Sequence, residues 1–279
     1  MASKVKKEYE DLMCNIDFQE ADEQSLDSDS QISRTKTHSD NARNSVTNIL
    51  EAGEISFFSR GRLGIDKPIK AEDVARAYLV LRPSVQVGQS LKGLIASDNV
   101  SRLLVLPKKR LPAKGERFIT FVFKANASED QIKKDLSPSP DYETKNAGIH
   151  HVPAAGQVGN GIYTIASTGN KSHLTYTMTL PRERGHAQRA IGLQDHGTFI
   201  LATKSPMCQG RSQLQLQLRS EPHFPNEILK DFRSLRWIPS RPAHLDYIDA
   251  QFLLIGEGAN HELFHANKQD SDREYFSDF

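Results

Sequence analysis

The sequence from Asp141 to Pro181 reads DYETKNAGIHHVPAAGQVGNGIYTIASTGNKSHLTYTMTLP. Its second half alternates apolar and polar side chains with a period of two residues, first over 162–167 and again over 174–180, as half-buried strands do. The residues Thr168-Gly169-Asn170-Lys171 lie between these runs, and Gly and Asn accept the positive φ angles of tight turns. The stretch therefore predicts a β-hairpin, around which we expect the fold to be organised.

The hairpin is preceded by a glycine-rich segment, Gly156-Gln-Val-Gly-Asn-Gly161, which is similar in composition to a phosphate-binding loop. Loops of that kind lead from a strand into a helix whose N-terminus faces the phosphate. This segment leads into a strand instead. We therefore interpret it as a flexible loop or a β-bulge.

Other segments of the chain also favour strands over helices. Short helices are predicted at Ser45–Glu54, where Gly53 would end the helix, and after Ser128, whose spacing to Gln131 is that of a capping box. Two more helices are expected at 185–193 and 225–232, and an edge strand or extended loop at 209–221. Apolar runs typical of strands occur at 55–64, 77–82, 102–106, 117–124, 198–203, 235–238 and 250–256. The fold class predicted is α+β, with a mostly antiparallel sheet or barrel-like core of about eight short strands and a few short helices.

The two ends of the chain differ in composition from its middle. Residues 1–45 are poor in apolar side chains and rich in Ser, Asp, Glu and Gln, so they bury too little surface to offset the entropy of ordering. Residues 259–279 form a second polar, acidic tail. We expect disordered tails on either side of a single domain over residues 46–258.

The composition excludes several classes of protein. Two cysteines, Cys14 and Cys208, are too few for a disulfide framework, and no run approaches the ~20 apolar residues of a membrane span. We expect an intracellular protein, cytoplasmic or nuclear, that does not enter a membrane. The segment His261-Glu-Leu-Phe-His265 matches the H-E-x-x-H zinc pattern, but that pattern needs a helix and a third ligand. Because it lies in an acidic tail, we interpret it as a chance match and expect neither a metal nor a cofactor.

Nine motifs carry a resemblance to a known family. They are Ser56–Gly64, Ala77–Pro83, Leu103–Lys109, Asp141–Lys145, His151–Pro153, Gly161–Tyr163, His173–Leu174, Thr203–Lys204 and Leu253–Gly256. From Gly53 to Glu257 the chain resembles a family of functionally uncharacterised fungal proteins with bacterial relatives, whose fungal members often carry the label "BTB domain transcription factor". The label implies a largely helical domain and a role in transcription, whereas the residues of this chain predict strands.

Candidate binding residues concentrate in the polar segment ahead of the hairpin. Tyr142, Glu143, Lys145 and His151 are side chains that can serve as acid, base or anchor for a small molecule. The alternative is that Tyr142 and a histidine pin the loop through buried hydrogen bonds. The sequence leaves both interpretations open.

Basic residues also recur at the ends of predicted strands. Arg60, Arg82 and Lys204 lie at such ends, and Lys108–Arg110 lies in a predicted hairpin loop. If several of these ends meet, they form a positive surface suited to an anion. Otherwise they are ordinary solubilising charges.

Three functional hypotheses follow. The first is a non-catalytic binding or regulatory protein that contacts a partner protein or a small anionic ligand, because no complete catalytic signature is present. The second is an enzyme or accessory protein that uses the 141–151 loop over a small-molecule site. The third is a transcriptional regulator that binds nucleic acid, which the sequence favours less because it contains no recognition helix or zinc finger.

Overall fold

The computed structural model describes residues 47–86, 101–106, 108–139, 142–144, 148–150, 152–207 and 221–257. For residues 85–86, 142–144 and 148–150 it describes the backbone alone. The chain divides into two units, Met1–Ser45 and Val46–Phe279, and every described residue belongs to the second. The predicted tails, the His261–His265 motif and residues 209–220 of the predicted edge strand lie outside the described residues.

Eleven strands are present in the described part of the chain. They are β1 (Thr47–Gly61), β2 (Val74–Gln86), β3 (Ser101–Leu106), β4 (Arg117–Ala127), β5 (Tyr142–Thr144), β6 (Gly148–His150), β7 (Ala155–Thr168), β8 (Lys171–Leu180), β9 (His196–Lys204), β10 (Trp237–Pro239) and β11 (Gln251–Gly256). Eight of them close an antiparallel barrel in the order β1-β2-β3-β4-β11-β9-β8-β7 and back to β1. The prediction of a barrel-like antiparallel core of about eight strands is confirmed.

Helices make a small contribution, so the α+β label fits only loosely. The described residues form α1 (Glu129–Leu136), α2 (His186–Ala190) and α3 (Asn226–Phe232), with 3-10 helices at Ala71–Asp73 and Pro242–Asp246. The predicted capping box is present at the start of α1. Ser128 Oγ accepts a hydrogen bond from the Gln131 N–H at 3.3 Å, and Gln131 Oε1 accepts one from the Ser128 N–H at 2.9 Å.

The predicted hairpin forms the β7–β8 pair. Thr168 pairs with Lys171 across the turn, and Gly169 has φ +60°, the left-handed conformation that glycine adopts without strain. The glycine-rich segment is not a flexible loop, because residues 156–161 belong to β7. A register shift beside Asn160 gives the irregularity that the bulge interpretation expected.

The helix predicted over Ser45–Glu54 is wrong. Residues 47–54 are the first half of β1, which pairs with β2 on one side and β7 on the other. These two ladders supply the backbone hydrogen bonds that a helix would otherwise make, so tertiary pairing overrides the local pattern. The same long-range pairing makes β1 fifteen residues long, whereas short strands were predicted.

Side chains inside and outside the barrel form two apolar clusters. The inner cluster fills the barrel with residues such as Phe57, Leu79 and Phe252. The outer cluster lies where Ile132 and Leu136 of α1 pack on Val80 and Leu103 of the barrel wall. Strand β3 is buried on both faces for this reason, and all six of its residues are buried.

We expect Ile132→Ala to lower the free energy of unfolding by about 2–4 kcal/mol, because it removes a buried side chain from the contact between α1 and the wall. Lys134→Ala is the matched control, since Lys134 is exposed on the same helix and should change stability by less than about 0.5 kcal/mol. Urea denaturation followed by circular dichroism measures both. Equal effects of the two substitutions would contradict the docking of α1.

Candidate functional site

The antiparallel strands place their connections at two ends of the barrel. One end is covered by the 3-10 helix Pro242–Asp246, whose Leu245 is fully buried in the inner cluster. We call this the closed end. The other end carries the β3–β4 connection, which includes residues 108–116, and the β8–β9 connection at residues 181–195. We call this the cleft end, for the cavity described below.

Four polar side chains meet inside the closed end. Arg102 Nη1 donates to Glu51 Oε1 at 2.6 Å, and Arg102 Nε donates to Asp246 Oδ1 at 2.8 Å. The Tyr163 hydroxyl donates to the same Glu51 oxygen at 2.7 Å. The side chains of Arg102 and Glu51 are both 0% exposed. These contacts tie β1, β3 and β7 to the helix that covers the closed end.

The surroundings of this cluster determine its protonation. Burial alone would lower the pKa of Arg102, but the charges of Glu51 and Asp246 outweigh it, so that the pKa is raised and the guanidinium stays charged. Burial, followed by the negative charge of Glu51, raises the pKa of Tyr163 far above its usual range. Tyr163 is therefore a neutral hydrogen-bond donor. The cluster is a fixed electrostatic anchor in which Arg102 is charged and Tyr163 is neutral near neutral pH.

A second polar chain lies nearby and is also fully buried. His244 Nδ1 lies 2.8 Å from Thr203 Oγ1, which lies 2.8 Å from Ser240 Oγ, and the Arg241 N–H donates to the same Nδ1 at 3.3 Å. Because Nδ1 accepts, the neutral imidazole carries its proton on Nε2. Burial is the main cause that lowers the pKa of His244 to about 4, with the charge of Arg241 adding to it. This chain joins β9 to the 3-10 helix.

The cleft end holds a cavity of about 550 Å³. Its walls come from the β3–β4 and β8–β9 connections, and its floor comes from the barrel strands beneath them. The lining includes four basic side chains and one acid, namely Arg110, Lys114, Arg184, His196 and Asp195. Apolar groups make up much of the rest, among them Leu111, Pro112 and Phe199. Cavities of this volume are typical of small-molecule sites.

The two arginines that line the cleft differ in how many of their side-chain nitrogens are bound by neighbouring residues. Both terminal nitrogens of Arg110 bind the carboxylate of Glu116, at 2.7 and 2.6 Å, which lowers the pKa of Glu116. Arg184 uses Nε for Asp195 at 3.1 Å and Nη1 for Gln194 at 2.6 Å. Its Nη2 has no partner among the described residues. Arg184 thus keeps one donor for a ligand, and Lys114 is exposed beside the same cavity.

Tyr176 lines the cleft and packs closely against residue 197, which is a glycine. A Cβ at this position would lie 2.7 Å from Tyr176 Cε1 and 3.0 Å from its hydroxyl oxygen. The hydroxyl accepts a hydrogen bond from the Gln194 N–H at 3.3 Å. Burial raises the pKa of Tyr176 to about 12, although the Gln194 N–H and the charge of Arg184 act in the opposite direction. Tyr176 therefore presents a neutral hydroxyl at neutral pH.

Two of the basic residues singled out from the sequence hold α1 on the outer wall. Arg60 Nη2 donates to the carbonyl oxygens of Asp135 and Ser137 at 2.9 and 3.3 Å, which satisfies the C-terminal end of the helix. Arg82 lies 3.7 Å from Glu129 at its N-terminal end. Both arginines thus contact the ends of α1, whose buried face packs on the barrel wall.

The other predicted positions are spread over the molecule. Lys204 ends β9 on the side of the closed end, opposite Arg60, and donates to Gln251 at 3.1 Å. Tyr142 and Glu143 lie in β5, which pairs with β6 where a loop was expected, and their side chains are not described. Lys145 and His151 lie outside the described residues. Their shared role in binding stays a prediction.

The base of the β5–β6 hairpin lies close to Arg60. The Ser139 N–H donates to the Val152 carbonyl at 3.3 Å, so the two chain segments that flank the hairpin are joined. Arg60 contacts Ser137 on one side and pairs with Ala155 in β7 on the other. The hairpin thus emerges beside one of the arginines that was predicted to accompany it.

The sequence interpretation missed the residues that form the cleft, apart from the basic loop at Lys108–Arg110. Tyr176 was assigned to a strand and Arg184 to no site. The charge of two segments could have indicated an anion-binding cleft, because residues 108–117 and 181–196 contain eight Lys and Arg but only three Asp and Glu. That these two segments meet at one end depends on how the barrel closes.

Comparison of the chain with protein-family models, with curated proteins and with solved structures finds no match. None of the helices in the described part of the chain is long and apolar enough to cross a membrane. Within the same residues there is no group of three or more His, Cys, Asp or Glu side chains that could hold a metal ion.

Substitution of Arg102 tests whether its buried ion pairs stabilise the closed end of the barrel. Arg102→Met should lower the free energy of unfolding by about 3–5 kcal/mol, because it leaves Glu51 buried without its counter-charge. Arg241→Met is the control: its pair with Asp231 is exposed and should contribute less than about 1 kcal/mol. The triple variant Glu51→Leu/Arg102→Met/Tyr163→Phe should be more stable than Arg102→Met alone. Chemical denaturation measures all three, and additive losses would contradict a coupled cluster.

The depressed pKa of His244 makes stability depend on pH. The unfolded chain binds this proton at higher pH than the folded protein, so stability should fall as the pH drops from about 6.5 to 4, by up to about 3 kcal/mol. His244→Asn keeps an acceptor for the Arg241 N–H and removes the titrating group, so it should flatten this part of the curve. His186→Asn, on the exposed start of α2, is the control. The free energy of unfolding is measured by urea titration at each pH. If it depends on pH in the same way in the wild type and in His244→Asn, His244 is not the group that titrates.

Proposed function

We propose that this is a non-catalytic binding protein that holds a small anionic ligand in the cavity at the cleft end of its barrel. The observation that carries the proposal is the cavity of about 550 Å³, into which Lys114 and Arg184 bring cationic groups that lack a full set of partners among the described residues. Eight cationic against three acidic side chains in the two surrounding connections add a positive field that attracts anions.

The protonation states around the cleft support binding over catalysis. The carboxylate of Asp195 is paired with Arg184 at 3.1 Å, and burial raises the pKa of Tyr176 to about 12, so that its hydroxyl is neutral near neutral pH and acts as a hydrogen-bond donor. Both terminal nitrogens of Arg110 bind Glu116, and this contact stabilises the β3–β4 connection. Catalysis by the 141–151 segment stays an alternative hypothesis, as does nucleic-acid binding by a transcriptional regulator.

Two broader inferences accompany this proposal. The segment that resembles the fungal and bacterial family, Gly53–Glu257, spans the barrel from β1 to the residue after β11, which supports membership of that family. The content of two cysteines in 279 residues supports an intracellular location, cytoplasmic or nuclear. A regulatory role would follow if the ligand controls contact with a partner protein.

A thermal-shift panel of small organic anions, each paired with its neutral analogue, tests the proposed function. At least one anion should raise the melting temperature of the wild type, because a ligand that binds the folded state stabilises it. The shift should disappear in Lys114→Gln/Arg184→Gln. It should persist in Lys67→Gln/Lys70→Gln, which removes two exposed charges from the neighbouring β1–β2 connection. Loss of the shift in both double variants would indicate non-specific attraction and contradict a site in the cleft.

A further inference from the structure

The chemistry of the cleft floor narrows the class of ligand, provided that the cleft is the binding site proposed above. Tyr176 is 1% exposed, and its hydroxyl oxygen accepts from the Gln194 N–H. The hydroxyl hydrogen has no acceptor among the described residues. A buried donor without an acceptor is costly, so a ligand oxygen that accepts this hydrogen bond gains more than a solvent-exposed contact would provide.

A cation lies next to this donor. Gln194 joins the two groups: its Oε1 accepts from Arg184 Nη1 at 2.6 Å, and its N–H donates to the Tyr176 hydroxyl at 3.3 Å, so that Arg184 and Tyr176 line the same part of the cavity. Asp195 and Gln194 occupy Nε and Nη1 of Arg184 and fix the orientation of the guanidinium plane. Nη2 is then the nitrogen that can bind a ligand.

These two donors suit a single negative charge. One neutral hydroxyl and one guanidinium nitrogen match the two oxygens of a carboxylate. A phosphate group carries more charge and more acceptor atoms than these two donors satisfy, and the carboxylate of Asp195, which lines the same cavity and contacts Arg184 Nε, opposes a second negative charge there.

The remaining lining is suited to an apolar group. Leu111, Pro112 and Phe199 line the same cavity as Tyr176. A volume of about 550 Å³ is far larger than a carboxylate group needs. The ligand therefore carries an apolar body whose burial contributes to binding in proportion to its area.

We propose that the cleft binds an organic monocarboxylate, whose carboxylate accepts hydrogen bonds from the Tyr176 hydroxyl and Arg184 Nη2 and whose apolar part lies against Leu111, Pro112 and Phe199. In this assignment the charge of Arg184 and the stronger hydrogen bond that Tyr176 donates to a charged oxygen together determine specificity for an acid over the corresponding alcohol. Gly197 allows Tyr176 to occupy this position, because a Cβ at residue 197 would collide with the tyrosine ring.

Isothermal titration calorimetry with octanoate, octyl phosphate and octanol tests the assignment on the full chain. Wild type should bind octanoate at least about tenfold more tightly than octanol, and more tightly than octyl phosphate. Tyr176→Phe should weaken octanoate binding by about tenfold and octanol binding by less, because the hydrogen bond to a charged oxygen is the stronger one, which narrows the difference between the two probes. Tyr78→Phe, which alters a tyrosine on the outer wall, should leave both affinities unchanged.

The outcomes separate this inference from the proposed function. If octyl phosphate binds more tightly than octanoate, and Lys114→Gln/Arg184→Gln abolishes its binding, the anion site stands and the monocarboxylate assignment is refuted. Unchanged octanoate affinity in Tyr176→Phe also refutes it. If Tyr176→Phe does not fold, as judged by near-UV circular dichroism, Arg184→Gln replaces it, because Arg184 lies on the surface connection and should lose octanoate selectively. Absence of octanoate binding refutes the monocarboxylate assignment, and the thermal-shift panel with Lys114→Gln/Arg184→Gln then decides the proposed function by itself.

Discussion

Arg102 carries a permanent positive charge inside the barrel, and the two carboxylates that neutralise it determine how the closed end is built. Glu51 comes from the first half of β1 and Asp246 from the 3-10 helix, so the ion pairs form only when β1, β3 and that helix are in their final positions. An isolated charge in this environment would cost several kcal/mol. The register of three separate parts of the chain therefore depends on one guanidinium.

The cluster is not the most stable way to fill this space. Glu51 Oε2 and Arg102 Nη2 have no partner among the described residues, and apolar side chains of similar volume are often as stable as a buried ion pair. The charges make the arrangement of the strands more specific, because a misplaced strand would leave a buried charge unpaired. We infer that the cluster specifies a single closed arrangement of the barrel, with the His244–Thr203–Ser240 chain holding the same helix from its other side.

The position of the cleft follows from this construction. The inner cluster and the 3-10 helix fill the closed end, and α1 covers the outer wall beside β3. The β3–β4 and β8–β9 connections lie at the opposite end beside the β1–β2 connection, and both are rich in Lys and Arg. Mouths of small barrels are common ligand sites, because the strands hold the connections rigidly around a concave floor. Tyr176 and Gly197 belong to that floor, which is why a polar group can be presented there without being exposed.

Local patterns in the sequence determined the elements that depend on neighbouring residues. The β7–β8 hairpin follows from alternation and a Gly-Asn turn, and α1 follows from the capping box at Ser128, since in each case the interacting groups lie a few positions apart. The barrel class followed from the number of strands and the scarcity of helices. The helix predicted at Ser45–Glu54 failed because the same residues pair instead with β2, about thirty positions away, and with β7, more than one hundred positions away.

Only the tertiary structure decided which charged residues serve the fold and which surround a cavity. Arg60, Arg82 and Arg184 look alike in the sequence, yet the first two bind the ends of α1 and the third lines the cleft. Barrel closure brings strand ends together according to register and strand order. Both depend on many long-range pairings and cannot be predicted from any short segment of the sequence. The chain alone therefore specified an antiparallel barrel with basic connections. The meeting of two such connections over Tyr176 was decided by how the barrel closes.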